Sequence, residues 1–356
     1  MNQKADLDIL FIARNYPPII GGLEKNAEEF YVNVSKLAHV DLLANRKGKK
    51  HLTGFTLSTI WYLARHAKKY DVIHFNDTAL APILFVIRLF SKAKVTFTAN
   101  GLDVVYPNPI YSFLMRNSLI RADKVFPVSK YTYDQCLARG VKPERLKIIL
   151  NGITLEDQIH HSEEEVAAFL NKYSIDHEKR KILVSVGRLV ERKGHAWFIQ
   201  SVFPHLPDDY IYIIGGDGSD YQKVVGLIRE GGLEKRVYAL GRVSEAEKQI
   251  IYQIADTFIM PNITVKNDPE GFGIVLLEAG CYNVPVVATG IEGISSAVLD
   301  GITGILISEG DVQGFIDAIT DMNLDRTKIR PAIEENFTWE KVAQNFLNAF
   351  QELAAH

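Results

Sequence analysis

Ile182-Leu183-Val184-Ser185-Val186-Gly187 is the stretch on which the fold turns. Its apolar residues run almost without a break instead of alternating, and Gly187 ends the run in a turn. That is how a strand reads when both of its faces are covered, as in a parallel sheet. The same pattern recurs downstream at Tyr210–Ile214, Val237–Leu240, Thr257–Met260, Val284–Ala288 and Gly304–Ile307. Upstream lies a first series of strand candidates: Leu7–Ala13, Val40–Ala44, Asp71–Phe75, Lys94–Ala99, Lys124–Val128 and Leu146–Leu150. Helical patterns fall between them, at Leu23–Leu37, Thr56–Lys69, Ala79–Phe90 and Lys130–Arg139. Between the two series the pattern loosens, first into Asn151-Gly152-Ile153-Thr154 and then into the acidic Ser162-Glu163-Glu164-Glu165. Strand-helix alternation of this kind predicts an α/β protein, here two doubly wound parallel-sheet units in tandem. Thr338-Trp339 opens a last amphipathic helix, which is expected to end near Leu353.

Composition agrees with that class. The 356 residues suit about two domains, and 47% apolar with 23% charged is ordinary for a globular chain. No apolar run is long enough to span a bilayer, and Met1–Asp6 lacks the apolar core of a secretory signal. The two cysteines, Cys136 and Cys281, sit in apolar helical patterns and offer neither metal spacing nor a disulfide framework. A soluble, cytoplasmic protein is expected.

The net charge of −3 conceals an asymmetry. Residues 1–150 hold 22 Lys and Arg against 12 Asp and Glu, whereas the remainder holds 18 against 31. The basic surplus shows in Arg46-Lys47-Gly48-Lys49-Lys50, which joins no evident apolar helical face. A basic half suits an anionic membrane surface, on the inner side of the membrane, or an anionic acceptor. It also suits attraction between the two halves. Nucleic acid is not expected, since the basic clusters carry no interleaved aromatics and no binding module.

Ligands of open parallel sheets bind beyond the carboxyl ends of the strands, so those loops are the candidate site. Gly21-Gly22, after the first strand, lets backbone approach an anion just where a helix begins. It is not the G-x-G-x-x-G dinucleotide fingerprint, which argues against a dehydrogenase. Gly187-Arg188 followed by Lys193-Gly194 places two cations after a strand, suited to phosphates. Gly215-Gly216-Asp217-Gly218 is another tight strand-to-helix turn. The fourth loop, Pro269-Glu270-Gly271-Phe272-Gly273-Ile274-Val275-Leu276-Leu277-Glu278, brackets a helix start with two carboxylates. A helix N-terminus there attracts a diphosphate. Glu278, a turn inside, suits a ribose diol, and Glu270 suits hydroxyls on the far side of the diphosphate. Together these loops describe a nucleotide-sugar site.

The ordered set of motifs resembles the retaining GT-B glycosyltransferases of the family-4 type. It comprises Pro17-Pro18-x-x-Gly21-Gly22, Asp71-Val72-Ile73-His74, Asn151-Gly152-Ile153, Gly187-Arg188 with Lys193-Gly194, Gly216-Asp217-Gly218, and Glu270-Gly271-Phe272-Gly273 with Glu278, collinear over nearly the whole chain. The resemblance implies two Rossmann-like domains facing a deep cleft, residues 1–157 with 338–356 binding the acceptor and residues 158–337 the donor. The last helix would cross back to the first domain. It further implies that Arg188, Lys193 and backbone near Ile274 and Val275 hold the diphosphate, with Gly21 and Gly22 closing on it. Glu278 would hold the ribose and Glu270 would contact the transferred sugar. Val243, in the Gly241-Arg242-Val243 loop, would border the base with Lys248 nearby. One position departs from the pattern: where members commonly carry His before Gly, this chain has Asn100-Gly101. Asn100 can donate and accept hydrogen bonds near the sugar but cannot titrate. His74 reads as a buried polar residue of the third strand.

The expected reaction moves a sugar from a UDP- or GDP-linked donor to a hydroxyl of a glycan, lipid-linked or small-molecule acceptor, with retained configuration. Cell-envelope polysaccharide or glycolipid synthesis is the expected setting. Cations and helix N–H groups on the departing diphosphate stabilise the transition state. No Asp-x-Asp motif sits at a strand end, so Arg188 and Lys193 are expected to stand in for a metal, with no cofactor. A glycosidase would need two carboxyls flanking the scissile bond; Glu270 and Glu278 read as hydroxyl acceptors instead. The resemblance implies front-face transfer without a protein nucleophile. The alternatives are a sugar-nucleotide epimerase and a non-catalytic nucleotide-sugar-binding subunit.

Overall fold

The computed structural model describes residues 4–19, 21–155 and 161–355. Two compact domains emerge. The first holds the described residues up to Thr154, Glu270–Phe272 and those from Phe337 on; the second holds Leu155–Pro269 and Gly273–Asn336. The boundary expected at residue 157 lies outside the described residues.

The first domain has one sheet built from β1 (Ala5–Ala13), β2 (Ala38–Ala44), β3 (Val72–Phe75), β4 (Lys94–Ala99) and β5 (Lys124–Pro127). All pairings are parallel, in the order β2-β1-β3-β4-β5. Leu10, Ile12, Ile73, Val95 and Phe97 belong to one apolar core and Ile9, Phe11, Val72 and Phe126 to another. Helices cover both faces, which is why the strands read as unbroken apolar runs. The expected strand at Leu146–Leu150 does not form fully. Its backbone only follows β5, Lys147 N–H donating to Val125 and Ile149 N–H to Pro127.

The second sheet contains β6 (Lys181–Val186), β7 (Tyr210–Gly215), β8 (Val237–Gly241), β9 (Thr257–Met260), β10 (Val286–Thr289) and β11 (Gly304–Ile307). Its order is β11-β10-β9-β6-β7-β8, again parallel throughout. These are the two common doubly wound orders, with reversal points between β1 and β3 and between β6 and β9.

Two local readings are revised. The acidic stretch Ser162–Glu165 is a helix start: the Ser162 hydroxyl accepts from Glu165 N–H, and the Glu165 carboxylate accepts from Ser162 N–H. This capping box opens the helix Glu163–Lys172. Asn151-Gly152-Ile153 is an anchor and not merely a loosened stretch. Ile153 N–H donates to Phe337 and Trp339 N–H to Ile153, while a Cβ on Gly152 would come within 2.8 Å of the Trp339 ring. From that anchor the helix Trp339–Ala354 packs against the helix Gly22–Val34, so the chain ends on its first domain. Trp339, Phe346 and Phe350 supply the buried stripe of that contact.

Candidate active site

In the second domain the carboxyl ends of β6, β7 and β8 are laced together by backbone. Gly187 N–H donates to Gly215, Leu189 N–H to Asp217, Asp220 N–H to Leu189 and Gly216 N–H to Gly241. The contact is so close that only glycine fits at Gly216, where φ is 151° and a Cβ would sit 1.7 Å from the Gly187 carbonyl oxygen. Asp217 turns its carboxylate onto Gly218 N–H at 2.8 Å. Val243 is half-buried beside Gly215. The structure therefore joins the loops of Gly187, Gly216 and Val243 into one rim.

Arg188 is exposed on that rim, with no ion pair among the described residues. Lys193 closes a short 3-10 turn, Glu191–Lys193. Next to it Arg192 is buried and faces Asp268 at 3.4 Å. Lys193, His195, Asn262 and Val275 line a crevice between the ends of β6 and β9, at the reversal point of the sheet.

The helix Ile274–Cys281 starts from Gly273, whose φ of 88° belongs to the left-handed region. No side chain among the described residues caps this helix, and an uncapped N-terminus is the kind of end that suits an anion. Glu278 sits one turn in and is held from two sides. Lys248 Nζ donates to its Oε1 at 3.1 Å and Tyr252 Oη to its Oε2 at 2.9 Å. Burial works against the Lys248 ammonium, but the charges of Glu278 and Glu245 outweigh it and raise its pKa. Burial, then Glu278, lifts the Tyr252 phenol far above its ordinary range, so it remains a donor. A carboxylate has about four acceptor positions, so two bonds leave Glu278 capacity for a diol.

The first domain carries the other predicted residues. Gly21 and Gly22 are exposed at the start of the helix Gly22–Val34, which has no side-chain cap among the described residues. A Cβ on Gly22 would meet nothing within 4 Å, so packing does not require a glycine there. Asn100 follows β4 and donates its amide to the Asn76 carbonyl at 3.0 Å, while its N–H donates to Asp103 at 2.9 Å. Burial, then the charge of Asp77, pushes the Asp103 carboxyl up to about 6. Glu270 and Phe272 are buried in this domain, Phe272 edge-on to Phe337. A Cβ on Gly271 would lie 2.2 Å from the Asn100 carbonyl oxygen. His74 is fully buried between the hydroxyls of Thr96 and Thr98, at 2.9 and 3.1 Å, and burial lowers it to about 3. It is a structural residue of the core.

Sequence reasoning missed Tyr252 and Asn262. Tyr252 stands four residues after Lys248 on the helix Glu245–Ile254, and that spacing puts both on one face. Asn262 lies in the same connection after β9 as Glu270, but a lone Asn in a loop carries no signal of its own.

Two family models match the chain. The description "Glycosyl transferases group 1" covers residues 169–345 and "Glycosyltransferase Family 4" covers residues 10–157. The chain belongs to glycosyltransferase family 4. It is accordingly a retaining glycosyltransferase that uses a nucleoside-diphosphate sugar. Among its relatives is the GDP-mannose-dependent alpha-(1-6)-phosphatidylinositol monomannoside mannosyltransferase of Mycolicibacterium smegmatis, 25% identical over 346 residues, 89% of each chain. Another is a putative colanic acid biosynthesis glycosyltransferase of Salmonella typhimurium, 26% identical over 265 residues, 72% of this chain and 61% of that one. Among solved structures, Anabaena HepE in complex with UDP superposes with a TM-score of 0.77 at 19% identity, covering 97% of this chain and all of that one. That likeness shows the GT-B fold. No helix among the described residues is long and apolar enough to cross a membrane.

Proposed function

We propose that this family-4 enzyme binds its donor mainly through the second domain. In this reading Arg188, Lys193 and the N–H groups of Ile274 and Val275 hold the diphosphate, and Glu278 holds the ribose. The observation that carries the reading is the pairing of an uncapped helix N-terminus with a carboxylate one turn inside it, braced by Lys248 and Tyr252. Diphosphate departure is the costly step, and donors fixed in place before the reaction stabilise the charge it releases. Arg188 and Lys193 take the part a metal ion would otherwise play. The rim of Gly216, Asp217 and Val243 borders the base, and Gly21 and Gly22 close on the phosphates. Glu270 and Asn100 contact the transferred sugar, and Gly271, Phe272 and Gly273 set the backbone that carries Glu270. The first domain takes the acceptor, a glycan or lipid-linked hydroxyl of cell-envelope polysaccharide or glycolipid synthesis. The donor is UDP- or GDP-linked; the mycobacterial relative uses GDP-mannose, and HepE has also been solved with UDP-glucose.

An anionic membrane surface is the proposed docking partner of the first domain. Arg46, Lys47, Lys49 and Lys50 are exposed. Contrary to the sequence reading, they lead straight into a helix with an exposed apolar face, Leu52–His66, on which Leu57 and Trp61 are 64% and 57% exposed. Arg65 stacks on Trp61 at 4.0 Å, completing one stripe of basic and aromatic residues.

A thermal-shift screen of UDP, GDP and ADP with their sugars tests the donor assignment. A ligand that binds only the folded chain raises its melting temperature by mass action, so at least one pair is expected to do so. Nucleoside diphosphate should be released from that donor only when an acceptor extract is added, and release should survive EDTA. No shift with any of them, or activity abolished by EDTA and restored by Mg2+, would refute the corresponding part of the reading.

A further inference from the structure

Asn262 is 1% exposed, and neither its amide nitrogen nor its amide oxygen has a hydrogen-bond partner. It lines the crevice between the ends of β6 and β9 together with Lys193, His195 and Val275. A native fold seldom leaves both ends of a buried amide unmet, because each forfeits its hydration without return. The neighbouring histidine shows what is missing. Ser185 Oγ donates to the Ile259 carbonyl, which can only accept. The Ser185 hydroxyl has one hydrogen, so in its 2.7 Å contact with Tyr212 the phenol donates. The Tyr212 hydrogen is then spent, so in the 3.0 Å contact between Tyr212 and His195 Nδ1 the imidazole donates. Burial, then the charge of Lys193, lowers His195 to about 3 and keeps it neutral. With Nδ1 carrying the proton, Nε2 is a bare acceptor, and it has no protein partner among the described residues.

The crevice thus presents one acceptor on His195 and an amide on Asn262 that both donates and accepts. Phosphate oxygens suit the Lys193 ammonium that also lines the crevice, but at neutral pH they have little to donate to His195 Nε2. We infer that the crevice takes a single hydroxyl group, donating to His195 Nε2 and paired with the Asn262 amide. Its source is either a hydroxyl of the donor sugar or a water lying under the diphosphate. This rests on the donor assignment to the second domain and adds Asn262 and His195 to it as binding residues.

Asn262→Leu keeps the number and branching of the side-chain heavy atoms and removes the amide. The free variant is expected to melt at or above the wild-type temperature, because two unmet polar groups leave the interior. Isothermal titration with UDP, GDP, ADP, UDP-glucose, GDP-mannose and ADP-glucose reads binding. If the hydroxyl is the sugar's, affinity for the sugar nucleotide falls at least tenfold while its nucleoside diphosphate binds as before. If it is a water, both fall together. Full wild-type affinity for both overturns the inference and leaves the donor assignment standing. If the wild type binds none of the six, both fall. Should Asn262→Leu not fold, His195→Phe removes the facing acceptor and is held to the same two binding readouts.

Discussion

Replacing Tyr252 with Phe removes one oxygen atom and nothing else from the second domain. The lost group donates to Glu278 Oε2 at 2.9 Å from a fully buried position, while Lys248 continues to hold Oε1 at 3.1 Å. A hydrogen bond to a charged group contributes about 1.5–3 kcal/mol, so the second domain should lose roughly that much stability by this estimate. The consequence for binding is more specific. With one anchor gone the carboxylate turns about its last side-chain bond, and its contact with a ribose diol loosens. Wild type should prefer a ribonucleoside diphosphate over its 2′,3′-dideoxy analogue by about ten- to a hundredfold, the same 1.5–3 kcal/mol written as affinity. In Tyr252→Phe that preference should shrink several-fold, while the dideoxy analogue, which lacks the diol, binds as it does to wild type. Isothermal titration measures all four affinities. If wild type does not discriminate against the dideoxy analogue, Glu278 is not the ribose acceptor. If Tyr252→Phe keeps full discrimination at the wild-type melting temperature, the bracing of Glu278 is irrelevant to binding.

Acid should weaken the two domains unequally. In the second, His195 stays unprotonated down to about 3 when folded, whereas the unfolded chain takes up that proton near pH 6.5. The unfolded state therefore binds more protons, and calorimetry should show stability falling by up to about 1.4 kcal/mol per unit as pH drops from 6.5 to 4.5. In the first, His74 acts the same way, but Asp103, raised to about 6 by burial and then Asp77, holds a proton the unfolded chain has released. The two nearly cancel below pH 6; Asp103→Asn should unmask the slope, and a flat profile in that variant would contradict it. At the surface, changing Arg46, Lys47, Lys49 and Lys50 to Gln should cut binding to anionic vesicles, at about 1 kcal/mol for each residue near the membrane. Trp61→Ala should cut it further, with melting unchanged in both; a wild type that ignores such vesicles at low salt would rule out membrane docking.

The alternation of strands and helices was legible because sheets covered on both faces must spell their strands as apolar runs. The strand-end loops were legible too, since Gly187, Gly216 and Gly273 mark places where backbone comes close to backbone or turns left-handed. Leu146–Leu150 misled because its apolar residues satisfy a core position beside β5 without full ladder pairing. Ser162–Glu165 read only as an acidic stretch of loosened pattern because three consecutive carboxylates mask the capping box there. Gly152 gave no hint of Trp339, since nothing local signals a contact between residues so far apart in sequence. Asn262 was invisible for a different reason: its meaning lies in what fails to touch it.

The most direct test is titration of wild type and of Arg188→Ala/Lys193→Ala with a nucleoside diphosphate and the matching monophosphate. The phosphate site predicts that wild type binds UDP or GDP at least tenfold more tightly than UMP or GMP. It also predicts that the folded double variant loses this difference, since each cation supplies a charge-assisted contact of about 1.5–3 kcal/mol. A wild type that binds the monophosphate as tightly, or a folded double variant that keeps the full preference, would contradict the account.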